Sequence, residues 1–147
     1  MRIANDYAAV RDFLPQSGQV VVELWMKPSS EPDALVLAPF FFEGDLVHNI
    51  IVTNRSGEWL YWNQDALVPF HLMDGQGHQL KVVYRTEGAT FDLYFDGVSI
   101  AAGAPLPEVF RKKRLTGIGL SSGAETKGVA CYVDNLRITA GSSGEPL

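Results

Sequence analysis

The sequence predicts an all-β domain, a two-sheet antiparallel β-sandwich, from three observations. From Val20 onward, short runs rich in Val, Ile, Phe, Tyr and Trp are separated by Gly, Pro, Asn, Asp and Ser at intervals of roughly ten residues. Within these runs apolar and polar residues alternate at a period of two, the spacing of a strand with one dry face. No repeat of roughly 20 to 50 residues recurs, which sets propellers and solenoids aside and leaves two stacked sheets as the way to bury both apolar faces.

In chain order, Tyr7, Val10 and Leu14 stand at near-helical spacing and Pro15 follows, which predicts one short helix over Asn5 to Leu14. Strands are predicted at Val20–Lys27, Leu35–Phe42, Asn49–Thr53, Trp59–Trp62, Val68–Leu72, Gln79–Thr86, Thr90–Phe95, Val98–Ala101, Leu115–Leu120 and Val129–Ile138. Asp96-Gly97 between two apolar runs is the strongest hairpin signal, because a two-residue primed turn needs residues that accept positive φ. Asn54-Arg55-Ser56-Gly57, Thr86-Glu87-Gly88 and Glu43-Gly44-Asp45 mark further tight connections. Alternation assigns Val20, Val22, Leu24 and Met26 to the core and Val21, Glu23, Trp25 and Lys27 to the opposite face. By the same rule Leu80, Val82, Tyr84, Phe91, Leu93 and Phe95 point inward, against Gln79, Lys81, Arg85, Asp92 and Tyr94.

The 147 residues suit one domain, divided into an N-terminal segment at 1–19 packing on the sandwich, the sandwich itself at 20–140, and a tail of linker composition at 141–147. Net charge is -5, so the global field disfavours nucleic acid and anionic membranes as partners. The basic run Arg111-Lys112-Lys113-Arg114 reads as a solvated loop. The single cysteine, Cys131, excludes an intramolecular disulfide and a CxxC site, and its apolar surroundings suggest an inert, buried thiol. Residues 1–19 hold no continuous apolar stretch, so no signal peptide or membrane span is read there. Compartment stays open, with an extracytoplasmic accessory domain of a larger protein favoured by the linker-like tail.

Four segments carry a resemblance. They are Val22-Glu-Leu-Trp-Met-Lys-Pro28, Gln79-Leu-Lys-Val-Val-Tyr84, the hairpin Phe91-Asp-Leu-Tyr-Phe-Asp-Gly97, and Tyr132-Val-Asp-Asn-Leu-Arg-Ile138 preceded by Thr116-Gly-Ile-Gly119. In order and spacing they resemble the concanavalin A-like lectin and glucanase superfamily, particularly its laminin G-like members. The resemblance implies a two-sheet jelly roll and a set of functions that includes carbohydrate binding, adhesion and glycoside hydrolysis. It also implies calcium at the sandwich rim, for which Asp45, Asp134 and Asn135 are the candidates, although no dense run of acidic ligands is present.

Catalysis is not expected. The Glu-x-Asp-x-x-Glu strand of related glucanases is absent, and its nearest imitation, Asp92-x-x-x-Asp96, loses Asp96 to the turn. His48, His71 and His78 form neither a His-x-His nor a His-Glu-x-x-His pattern, so zinc is not expected, and no Gly-x-Ser-x-Gly elbow occurs. A carbohydrate or glycoconjugate ligand needs exposed aromatics flanked by amides or acids. Gly57-Glu-Trp-Leu-Tyr-Trp-Asn-Gln-Asp65 has that composition, so Trp25, Trp59 and Tyr61, with Glu23, Asn63 and Asp65, are the candidate platform, against the alternative that Trp59 and Tyr61 are core. The competing function is a structural or protein-interaction module, including self-association. Oligomeric state is left open.

Overall fold

A computed structural model describes residues 2–4, 8–28, 35–53, 57–64, 66–72, 74–122, 129–140 and 145–146. In chain order its strands are β1 (Arg2–Ala4), β2 (Ala8–Gln16), β3 (Gln19–Pro28), β4 (Leu35–Phe42), β5 (Leu46–Thr53), β6 (Glu58–Asn63), β7 (Ala66–Leu72), β8 (His78–Arg85), β9 (Thr90–Phe95), β10 (Val98–Pro105), β11 (Leu115–Ser122), β12 (Val129–Ala140) and β13 (Glu145–Pro146). One 3-10 turn, Glu108–Phe110, interrupts them. They form two antiparallel sheets, one ordered β1-β12-β3-β8-β9-β10 with β13 also on β12, the other β2-β11-β4-β5-β6-β7.

Alternation builds the core as the sequence dictates. Val20, Val22, Leu24 and Met26 are fully buried, and Leu80, Val82, Tyr84, Phe91 and Leu93 meet them from the neighbouring strands of the same sheet. Phe40, Phe42, Ile50 and Leu115 face them from the second sheet. Rings of Phe40, Phe42, Tyr84, Phe91 and Phe110 pack at centroid separations of 5.1 to 6.2 Å, so the interior is an aromatic lattice. The β9–β10 hairpin turns on Asp96 and Gly97 at φ 51° and 79°, the left-handed pair a primed turn requires. Gly44 and Asp45 do the same for β4–β5, at φ 78° and 59°.

Two expectations are corrected. The predicted helix over Asn5 to Leu14 is instead β2 from Ala8 onward, a sheet-edge strand pairing with β11 from Gln16↔Leu115 to Ala8↔Ser121. Pro15 fits there because an edge strand need not donate every N–H to a ladder. Consequently the sandwich does not begin at residue 20. β1 and β2 are strands of the two sheets, and β13, within the segment read as a tail, pairs antiparallel with the end of β12. The turn at Asn54-Arg55-Ser56 lies outside the described residues, as does the Cys131 side chain. Arg111, Lys112, Lys113 and Arg114 are exposed, as expected, with Arg111 bonded to Glu108 and Arg114 to Glu43.

Candidate functional site

Two places on this scaffold gather chemistry. The first is the outer face of the seven-stranded sheet. Trp25 stands directly across from Asp134 on β12 and Gln79 on β8, and Glu23 across from Arg137 and Lys81. The Trp25 indole is half-buried and braced against Gly77, where a Cβ would lie 1.8 Å from its Cζ2, so only glycine fits beneath the ring. Lys81 reaches toward Glu23 at 4.0 Å and lies 5.3 Å over the Tyr94 ring. The arrangement is an anchored aromatic ring edged by carboxylates, an amide and cations.

Of the six residues expected to form the platform, the structure brings together only Trp25 and Glu23. Trp59 and Tyr61 are core residues, 1% and 7% exposed, and this corrects their assignment to a ligand surface. Trp59 packs on Phe95 at 4.9 Å and Tyr61 on Phe91 at 6.0 Å, so their β6 face closes the sandwich. Asn63 ends β6 in the other sheet, away from Trp25, and Asp65 lies outside the described residues. Gln79, Lys81 and Tyr94 complete the Trp25 face. The alternation that put them opposite the core was the signal for them.

The calcium candidates are also separated. Asp45 occupies the β4–β5 turn of one sheet, while Asp134 is exposed beside Trp25 on the outer face of the other. A core layer about 10 Å thick stands between the sheets, too far for one ion with bonds of about 2.4 Å. Asp134 and Asn135 instead make a bulge. Between the pairs Asp134↔Trp25 and Arg137↔Glu23, β12 inserts Asn135 and Leu136 opposite Leu24 alone, Asn135 takes φ 55°, and its N–H donates to the Asp134 carboxylate at 2.8 Å.

The second place is one end of the sandwich, where β7, the β7–β8 loop, β8 and the β9–β10 turn meet. His78 is the first residue of β8, facing inward and paired with Met26. Its Nε2 lies 2.9 Å from both Asp74 carboxylate oxygens and its Nδ1 2.6 Å from Asp96 Oδ2. His71 Nε2 approaches Asp74 Oδ2 at 3.4 Å. Burial pulls the His78 imidazolium down, but its bonds to the two carboxylates outweigh burial and raise its pKa above the ordinary value. The bond from His78 and the Gln76 N–H hold the Asp74 carboxyl well below its ordinary range. Burial pushes the Asp96 carboxyl up, yet the Gln79 N–H and His78 prevail and lower it. Phe95 lies 4.6 Å from both imidazoles and Trp59 stands edge-on to His78 at 5.9 Å, so apolar rings wall the inner side.

A bulge places His71 here. Leu60 pairs with Pro69 and Trp59 with His71, so Phe70 is an extra residue on β7, and both Phe70 and His71 turn toward the interior. His71 also lines a shallow depression of about 510 Å³ with Glu58, Pro69, Phe70 and Leu72. A groove of about 560 Å³ lies at the opposite edge, between Phe13 and Leu14 of β2 and Leu136 and Ile138 of β12.

Two further polar groups are structural. Asp92, which lacks a second carboxylate, is bound by Arg85 at 2.8 Å and by the Gly103 N–H at 2.7 Å. His48 lies buried between Tyr84 and the Trp62 carbonyl. Among the described residues no helix is long and apolar enough to cross a membrane.

Comparison with known proteins adds the following. No family model matches the chain. It is 26% identical to neuronal pentraxin-1 of Homo sapiens over 102 residues, 68% of this chain but 24% of that protein, so it spans about a quarter of the length of the pentraxins it matches. Among solved structures, a sialidase superposes with a TM-score of 0.74 at 12% identity, covering 96% of this chain and 15% of the sialidase. The galectin LEC-6 of Caenorhabditis elegans superposes with a TM-score of 0.60 at 12% identity, covering 92% of this chain and 94% of the galectin. Together with the two stacked antiparallel sheets, these likenesses establish that the chain has the concanavalin A-like jelly-roll fold.

Proposed function

We propose that the chain is a non-catalytic binding module whose ligand is a carbohydrate or glycoconjugate, and that it serves as an accessory domain of a larger protein. The observation that carries this reading is the Trp25 indole, anchored on Gly77 and flanked by Glu23, Gln79 and Asp134 on a solvent-facing sheet. A sugar ring offers a flat C–H face edged by hydroxyls. A fixed aromatic ring covers that face without losing rotamer freedom, and the surrounding acids and amide accept and donate at its rim. Likeness in fold to a galectin supports the same reading.

A non-catalytic role is favoured by the two acids nearest to a glycosidase pair. Asp92 and Asp96 are both held below the ordinary carboxylate range, Asp92 chiefly by Arg85, and Asp96 by the Gln79 N–H and His78 against its burial. A general acid needs the reverse shift. Glycan-array screening followed by titration calorimetry tests the reading. Trp25→Ala should abolish binding to any glycan the wild type selects, and undiminished binding by that variant removes the proposal.

The second reading, a protein-interaction or self-association module, is favoured by the outer face of the six-stranded sheet. There Phe41 pairs with Val47 and Trp62 with Leu67, all partly or fully exposed, with Pro39 and Leu60 alongside. An apolar outer face of this kind commonly marks a contact surface. Light scattering that finds a stable dimer indifferent to glycans would favour this reading over the first.

A further inference from the structure

The end of the sandwich bearing His71, Asp74 and His78 has a geometry that neither the glycan reading nor the interaction reading uses. We propose that these three side chains bind one divalent transition ion of the zinc class, with Asp96 as the carboxylate that orients His78. One ring nitrogen of each histidine and an Asp74 oxygen lie within 4.8 Å of one another. A tetrahedral ion with bonds of about 2 Å would hold such atoms about 3.3 Å apart, and the 2.9 and 3.4 Å separations to Asp74 already meet that.

Three features separate this cluster from an ordinary surface ion pair. The donors are two imidazole nitrogens and one carboxylate, which selects zinc, cobalt or nickel over calcium, an ion that wants six to eight oxygens. His78 presents Nε2 to the site while Nδ1 is bound at 2.6 Å to Asp96, itself fixed by the Gln79 N–H at 2.8 Å. This is the carboxylate–histidine–metal arrangement that fixes ring orientation and raises ligand basicity. The inner wall of Phe95 and Trp59 excludes water on one side, and the depression beside His71 leaves the other side open. Three protein ligands with an open fourth position would let the ion hold a water molecule or an oxygen of a bound ligand.

With Nδ1 donating to Asp96, Nε2 is the lone-pair nitrogen His78 offers the ion, so it would bind Zn²⁺ as the neutral imidazole. The proposal stands apart from Trp25, on the outer face, and its test leaves Trp25 untouched.

The tag-free full chain is titrated with zinc chloride by calorimetry, with calcium chloride as control. One zinc ion per chain is expected, with no heat from calcium. His71→Ala removes a half-buried ligand and should weaken zinc binding by about 100-fold or more, while Asp96→Asn keeps every ligand and should weaken it by about 10- to 100-fold. The wild type loaded with cobalt should show the intense visible bands of a four-coordinate ion, a readout independent of how either variant folds. The proposal is overturned if the wild type takes up no zinc, if His71→Ala binds it as tightly as the wild type, or if bound cobalt keeps the weak spectrum of the six-coordinate aquo ion.

Discussion

Acidification should destabilise this protein through one buried imidazole, His48, and the structure sets both the sign and the size. His48 Nε2 faces the Trp62 carbonyl oxygen at 2.9 Å, which can only accept, so Nε2 carries the hydrogen. Nδ1 must then be the lone pair, accepting from the Tyr84 hydroxyl at 2.6 Å, and burial of Tyr84 keeps that hydroxyl protonated. The ring is therefore neutral and fully satisfied, and a second proton would set a donor against a donor in the middle of the core. Burial pulls its pKa from 6.5 down to about 4, only partly opposed by the bond to Trp62.

A pKa depressed in the folded state contributes stability that is complete above 6.5 and fades as pH falls through the folded value near 4. At 1.36 kcal/mol per unit the full contribution is about 3 kcal/mol, of which about 2 is lost by about pH 5. That is a large share of the roughly 5 to 15 kcal/mol that holds a domain together. Urea unfolding of the wild type and of His48→Gln at about pH 7.5 and about pH 5 isolates the effect. The glutamine amide can donate to Trp62 and accept from Tyr84 without titrating, and the other ionisations cancel in the difference. The wild type should lose about 2 kcal/mol more than the variant over this interval. Equal losses, or nitrogen chemical shifts placing the hydrogen on Nδ1 at neutral pH, would refute the reasoning.

The remaining predictions concern single contacts. Gly77→Ala inserts a Cβ 1.8 Å from Trp25 Cζ2 without straining the backbone, so the indole must move. The expected signs are a red-shifted tryptophan emission, absent in a Trp25→Phe background, and a loss of about 1 to 3 kcal/mol by urea titration. Asp92→Ala leaves Arg85 and the Gly103 N–H without their acceptor and should cost about 2 kcal/mol, whereas Asp92→Asn should recover part of that through the Gly103 bond. Glu43, held by the Arg114 side chain and backbone N–H, should titrate near 2 by carbon-detected NMR. Its pKa should rise in Arg114→Gln but stay below the ordinary value, because the backbone bond survives that substitution.

Strand-period burial was legible wherever a strand lies in mid-sheet, because one face is then wholly dry. Val20, Val22, Leu24 and Met26 could not alternate otherwise and remain at 0% exposure. It blurred at the margins. Among the described side chains of β2, Phe13 packs on the core while Leu14 is 81% exposed, so the period of two was too weak to displace the helical spacing read through Tyr7, Val10 and Leu14. For β6 the alternation divided Trp59 and Tyr61 from Leu60 and Trp62 correctly but carried no sign. The choice of dry face is made by what lies across the gap, and Phe91 and Phe95 sit there from a strand some thirty residues distant.

The chemistry at the end of the sandwich was hidden for a stronger reason. A period of two sorts residues only while the register is kept, and β7 breaks it at Phe70, after which His71 faces the side that alternation gives to its neighbours. The spacing His71-x-x-Asp74-x-x-x-His78 therefore matches neither a helix nor a strand, since its three members come from a bulged strand, a loop and the start of a strand in the opposite sheet. Its fourth member, Asp96, was explained correctly by its turn, and that explanation concealed the rest. The same φ of 51° that closes the hairpin sets the carboxylate where it can take the Gln79 N–H with one oxygen and His78 with the other. A residue that satisfies a local rule is not thereby exhausted, and here the turn is the device that delivers the carboxylate to the histidine.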